Sequence, residues 1–201
     1  MAKPHTAVTT VILAGGLGRR IGGDKGLQSL QGRALIDWVL VAVRRDSDET
    51  LINANTAQEA YAHFGYRVIA DQLPDWQGPL AGLHAALVCA KTDYVMTVPC
   101  DTPFLPDNLL ARLLDALMQC STDAAVAVAG GYRQPAIALY RRNVLPRLLA
   151  YLDSGGRKVS DWLDTLQVSE VVFDNESDFD NINTLDDLAR AAERISSTGK
   201  I

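Results

Sequence analysis

Residues 9–30, TTVILAGGLGRRIGGDKGLQSL, place three cations and very little side-chain bulk just after a short apolar run. Arg19, Arg20 and Lys25 are interleaved with Gly15, Gly16, Gly18, Gly22 and Gly23. Glycines let backbone N–H groups approach an anion closely, and the cations neutralise it. A strand that breaks into a glycine loop before a helix is a common setting for phosphate. The competing reading is a surface loop with solvated charges. Two familiar phosphate loops are excluded. A Walker loop needs Ser or Thr after its lysine, and Lys25 is followed by Gly26. The dinucleotide fingerprint started at Gly16 and Gly18 would need a third glycine where Ile21 stands.

The elements that must position this loop follow from periodicity. Residues 7–14, 50–55, 66–70 and 94–99 read as apolar strands. Residues 34–43, 56–64, 79–90 and 106–120 read as helices between them, with Pro79 suited to a first helical position. Such alternation predicts an α/β fold, a parallel sheet with helices on both faces. After Ser121 the rhythm loosens. Residues 124–129, 135–142 and 166–173 read as strands, some of them antiparallel, and Thr184 as the N-cap of a last helix. Ligands of open α/β sheets bind outside the carboxyl ends of the strands. Gly15, Asn53, Asn55, Asp71 and Asp101 are therefore expected to converge on one rim.

Composition narrows the function classes. The 201 residues, 48% of them hydrophobic, suit one domain with a substantial core, and no linker divides them. A net charge of -5 argues against a broad nucleic-acid surface. Cys89, Cys100 and Cys120 form no CxxC, which fits a reduced, cytoplasmic protein. His5, His63 and His84 have no metal-ligand spacing. No apolar run is long enough to cross a bilayer.

The loop LAGGLGRRIGGDKGL (13–27) resembles the LAGGxxxRMGxDKxL loop of GT-A-like nucleotidyltransferases, with Ile21 in place of the usual Met. NAN (53–55), GPLAGL (78–83), PCDTPFLP (99–106) and NINTLDDL (181–188) follow in the same order. Together, over residues 8–195, they are similar to the molybdenum cofactor guanylyltransferases. The resemblance implies a single-domain, Rossmann-like three-layer α/β fold with a mostly parallel mixed sheet. Its nucleotide-binding half would span about 7–120 and its pterin-binding half about 121–195. It also implies the reaction: GMP passes from GTP to the terminal phosphate of molybdopterin, and pyrophosphate leaves. The nucleophile is then an ionised phosphate oxygen, so no general base is needed, and positioning and cations carry the catalysis.

By the same resemblance, Lys25 and Arg20 neutralise phosphate, and Asp101 is the leading ligand of magnesium, with manganese the alternative ion. Asn183 is a second metal contact, and Asn181 belongs to the same motif. Leu13, Ala14, Gly15, Gly16, Asn53 and Asp71 meet the nucleotide, while Gly78 and Gly82 let backbone approach the base or pterin. Arg157 and Lys158 sit where the pterin phosphate binds. Contacts with pterin-delivering and molybdoenzyme-maturation proteins are implied as transient. Plainer roles compete at each position. Asp101 could cap a helix, Asn183 could prepare the last one, and residues 154–163 could form a solvated connection. His84, Trp162 and Cys100 read as packing residues. Two other functions stay open: the related cytidylyltransferase, and a nucleotide-binding regulator without turnover. Having both Lys25 and Asp101 weighs against the regulator.

Overall fold

A computed structural model describes residues 5–15, 24–44, 46–73 and 78–198. Strand β1 (Val8–Leu13) is followed by a small hairpin, β2 (Ser29–Leu30) and β3 (Arg33–Ala34), and by helix α1 (Leu35–Val43). Next come β4 (Glu49–Asn53), α2 (Gln58–Ala62), β5 (Arg67–Ile69), α3 (Pro79–Cys89), β6 (Tyr94–Pro99) and α4 (Leu109–Cys120). The remainder is β7 (Ala124–Ala129), β8 (Tyr132–Arg141), α5 (Leu145–Asp153), α6 (Val159–Leu163), β9 (Val168–Phe173) and α7 (Leu185–Thr198).

Seven strands form one sheet in the order β5-β4-β1-β6-β8-β7-β9. Within it β8 runs antiparallel to both of its neighbours, and the other pairs are parallel. The mixed, mostly parallel α/β sheet that the resemblance implies is therefore the observed one. Both faces are covered, which is why the central strands read as continuous apolar runs. Ile12, Ile52 and Met96 point to the side of α1 and α4, where Ile36, Val39, Leu113 and Leu117 are buried. Their chain neighbours Val11, Leu51 and Val95 point to the side of α3, α5 and α6, against Leu83, Leu87, Leu148 and Trp162. No helix among the described residues is long and apolar enough to cross a membrane.

Two hairpins lie outside the expectation. The β2–β3 turn has Gln31 at φ 53° and Gly32 at φ 79°, and the β7–β8 turn has Gly130 at φ 59° and Gly131 at φ 80°. Two consecutive positive φ values match the twist of the strands they join. Gln31–Gly32 lacks the Asn-Gly signature, so local sequence gave no sign of it. The second turn starts β8 at Tyr132, three residues before the expected 135. A third, smaller cluster packs Leu30, Leu35 and Phe104 under Ile182, Ala191 and Ile195, seating α7 over the β2–β3 hairpin.

Candidate active site

The ladder brings the expected rim together. Leu13 pairs with Asn53 on one side and Pro99 on the other, and Asn53 pairs with Ile69. Backbone bonds extend the register past the strand ends: Ala14 N donates to Asn53 O at 2.8 Å, Ala54 N to Ile69 O at 2.9 Å, and Cys100 N to Leu13 O at 3.1 Å. Residues just beyond β1, β4, β5 and β6 thus emerge at one level.

A cavity of about 150 Å³ opens there, lined by Leu13, Gly15, Asn53, Asp71 and Gly78, with Ala136 entering from β8. Its polar wall is a closed network. Asn53 Nδ2 donates to Asp71 Oδ1 at 2.9 Å. Asn55 Nδ2 donates to Asp71 Oδ2 at 2.7 Å, and the Asp71 backbone N–H returns a bond to Asn55 Oδ1 at 2.9 Å. Asn53 is buried, so its amide is locked while the carboxylate it holds faces the cavity. Gly78 precedes α3 at φ 116°, a backbone that side chains disfavour, and Pro79 opens the helix as expected. Gly82 serves close approach: a Cβ there would lie 2.5 Å from Asn53 Oδ1 and 2.9 Å from a Leu13 methyl. It sets how near α3 sits to the wall. His84, on the same helix, is buried, and Nδ1 has no hydrogen-bond partner among the described residues. Burial holds its imidazole below the usual histidine range, against the opposing pull of Asp71.

Beside this cavity lies a cation site. Lys25 Nζ donates to Asp101 Oδ2 and to Asn183 Oδ1 at once. Three distant segments supply these atoms, and each is anchored. Ile182 N donates to Asp101 O at 2.9 Å, and Thr102 Oγ1 to Asn181 Oδ1 at 2.8 Å, clipping the 181–183 segment to the end of β6. Asp187 Oδ2 accepts from the N–H groups of Asn183 and Thr184, while Thr184 Oγ1 accepts from Asp187 N at 3.1 Å. Thr184 is thus the cap expected of it, and these backbone bonds hold the Asp187 carboxyl below its usual range. Asn183 prepares this helix start, and its side chain faces Lys25. Lys25 begins a 3-10 turn whose Gly26 is wedged: a Cβ there would lie 2.8 Å from Tyr61 Oη and 3.2 Å from Cys100 Sγ. Burial pushes the Tyr61 phenol and the Cys100 thiol up, so neither is poised as a nucleophile. Cys100 is the buried filler expected.

Asp101 and Asn183 are the residues that could hold a hard divalent ion. Their oxygens already converge on one positive charge. Among the described residues no group of three His, Cys, Asp or Glu side chains is built for a metal.

Gly16 and Arg20 lie outside the described residues, as does Arg19. Arg157 is exposed, and its Nη1 donates to Leu152 O at 2.9 Å and Gly156 O at 2.7 Å, which closes the end of α5. Lys158 precedes α6, and its carbonyl accepts from Trp162 N and Tyr151 Oη. Trp162 is buried packing against Tyr151, as expected. Ala136 and the Thr102–Asn181 clip were not singled out. Ala136 could not be, because only the antiparallel insertion of β8 brings it to the rim. A larger cavity, about 680 Å³, lies near the start of β1 and along α4, with Val8, Leu110, Leu114 and Met118 in its wall. Among the described residues, no lysine or arginine lines it, so chemistry rather than size selects the rim.

Comparison with known proteins agrees with this geometry. A family model described as the MobA-like NTP transferase domain matches residues 10–168. A molybdenum cofactor guanylyltransferase of Cupriavidus metallidurans is 43% identical over 187 residues, covering 90% of this chain and 92% of that protein. One from Shewanella frigidimarina is 42% identical, covering 94% and 97%. The crystal structure of molybdopterin-guanine dinucleotide biosynthesis protein A from Archaeoglobus fulgidus superposes with a TM-score of 0.80 at 30% identity, covering 94% of this chain and all of that one. Sequence, fold and the placement of Gly15, Asn53, Asp71 and Asp101 along one rim all lead to the same conclusion: the chain belongs to the MobA-like NTP transferase family.

Proposed function

We propose that the protein transfers GMP from GTP to the terminal phosphate of molybdopterin, forming the guanine dinucleotide cofactor. The observation that carries this is the pairing of a cation site, Lys25 with Asp101 and Asn183, with a polar cavity walled by Asn53 and Asp71 on the same rim. The names of relatives covered almost end to end support the choice of substrates.

In this reading a pterin phosphate oxygen attacks the α-phosphorus of GTP, the bond between the α-phosphorus and its bridging oxygen to the β-phosphate breaks, and pyrophosphate departs. The attacking oxygen is already ionised, so the chain need supply no base. Lys25 neutralises charge on the phosphates, and Arg20 adds a planar fork. Asp71 accepts hydrogen bonds from the guanine amine, held in place by Asn53 and Asn55. Leu13, Ala14 and Gly15 form the floor beneath the nucleoside. Magnesium, or manganese in its stead, would be held by Asp101 and Asn183 and supply Lewis-acid charge neutralisation. Arg157 and Lys158 receive the pterin phosphate, so residues 7–120 serve the nucleotide and residues 121–195 the pterin. The enzyme works in the cytoplasm, meeting pterin-delivering and molybdoenzyme-maturation proteins in passing.

The test is direct: purified protein, GTP, molybdopterin and magnesium should yield pyrophosphate and a guanylylated pterin. Pyrophosphate release from CTP at an equal rate would move the chain to the sister cytidylyl activity.

A further inference from the structure

We propose that Lys25 is a resident counter-cation that keeps a divalent ion off Asp101 and Asn183 until a nucleotide phosphate draws the ammonium away. This rests on the reading of the rim given above and adds to it an order of events: nucleotide and metal enter together, and neither binds well alone.

The argument starts from shared atoms. Lys25 Nζ is bonded to Asp101 Oδ2 and Asn183 Oδ1, the same two side chains that would hold the metal. An ammonium and a divalent ion on one pair of oxygens repel each other, and more strongly where water is scarce. Water is scarce at Asp101, which is only 6% exposed, whereas Asn183 is exposed. The bare site therefore already satisfies its own charge, one carboxylate against one ammonium.

Anchoring makes the exchange a side-chain event. Gly26 is trapped between Tyr61 Oη and Cys100 Sγ, and Asp24 Oδ1 accepts from Thr56 Oγ1 at 2.8 Å. The backbone on both sides of Lys25 is thus pinned to the end of β6 and the β4–α2 connection. The four-carbon stem of Lys25 supplies the rotatable bonds by which its ammonium can swing about that fixed point. A triphosphate arriving at the rim offers the ammonium a better partner than a single carboxylate, and rotation toward it exposes Asp101 and Asn183. Because each ligand then favours the other, the coupling is reciprocal.

The test uses the full chain without nucleotide and Mn2+ as the probe, with free Mn2+ followed by electron paramagnetic resonance. Lys25→Met should tighten Mn2+ binding about ten- to a hundredfold, the scale of the charge-assisted bonds removed. Adding Asp101→Asn to that variant should cancel the gain. If near-UV circular dichroism shows Lys25→Met unfolded, Lys25→Gln carries the same comparison. The unaltered chain provides an independent reading: saturating Mn2+ should raise chemical labelling of Lys25, measured by mass spectrometry. Unchanged or weaker Mn2+ binding in the neutral variants, or labelling of Lys25 unmoved by Mn2+, overturns the proposal. Failure of the unaltered protein to transfer GMP would overturn the functional reading instead, and neither metal measurement depends on that activity.

Discussion

The amide of Asn53 donates to the carboxylate of Asp71 at 2.9 Å, joining residues that lie 18 apart in sequence at the ends of two adjacent strands. Asn53 is buried and also reaches Ile69 O, so the bond fixes Asp71 rather than the reverse. Aiming an ionised carboxylate, an acceptor only, into a cavity favours a base edge that presents donors.

Asp71→Ala should therefore lower kcat/KM for GTP by about tenfold or more, the scale of a lost charge-assisted hydrogen bond, and narrow the preference over CTP and ATP. Competition assays with mixed nucleotides read this. An unchanged GTP preference would take Asp71 out of base recognition.

Asp101→Asn keeps the size of the side chain and removes its charge. Transfer should fall by about a hundredfold or more at limiting magnesium, the scale of losing one preorganised electrostatic contact. Melting temperature should move little, because the backbone bonds at Asp101 O and Cys100 N remain. Near-normal rates would exclude Asp101 from the metal site.

Gly82→Ala tests the packing that supports the wall. Its new methyl would sit 2.5 Å from Asn53 Oδ1, and a buried strand-end amide has little room to yield. Overpacking of this kind costs about 1–3 kcal/mol. Denaturant melts should show that loss together with a raised KM for GTP. A neutral substitution would mean α3 can shift without disturbing Asn53.

His84 gives a pH signature. Burial depresses its folded pKa below the unfolded value of about 6.5. The unfolded chain then binds the proton more readily, so stability is fully present above that pH and declines as the pH drops below it toward the folded pKa. His84→Leu should flatten the decline between pH 7.5 and 5.5 in denaturant melts. It also removes a buried nitrogen without a partner among the described residues, so the variant should be no less stable at the lower pH. A profile as steep as that of the unaltered protein would assign the decline to other groups.

Replacing Arg157 and Lys158 together with alanine should raise the molybdopterin requirement and leave GTP affinity nearly unchanged. Separate titrations of the two ligands decide it. Because Arg157 also closes α5 through Leu152 O and Gly156 O, a melt must accompany them. Matched losses for both ligands would point to structure, and no loss for either would make this loop a solvated connection.

Much of this protein was legible along the chain because its decisive features are local. Apolar runs such as residues 94–99 mark strands buried on both faces, and strand-end residues of a parallel sheet must share a rim, so Gly15, Asn53, Asn55, Asp71 and Asp101 could be placed together from spacing alone. Thr184 declared a helix start. Tertiary structure decided what depends on distant partners. That Lys25 meets Asp101 and Asn183, 76 and 158 residues away, follows from the clip of Thr102 to Asn181 and the wedge of Gly26 against Tyr61. The arrival of Ala136 at the rim follows from β8 entering antiparallel between β6 and β7. A chain's local pattern records which face of an element is apolar; which charge neutralises which is settled only when remote segments are packed to within a hydrogen bond of each other.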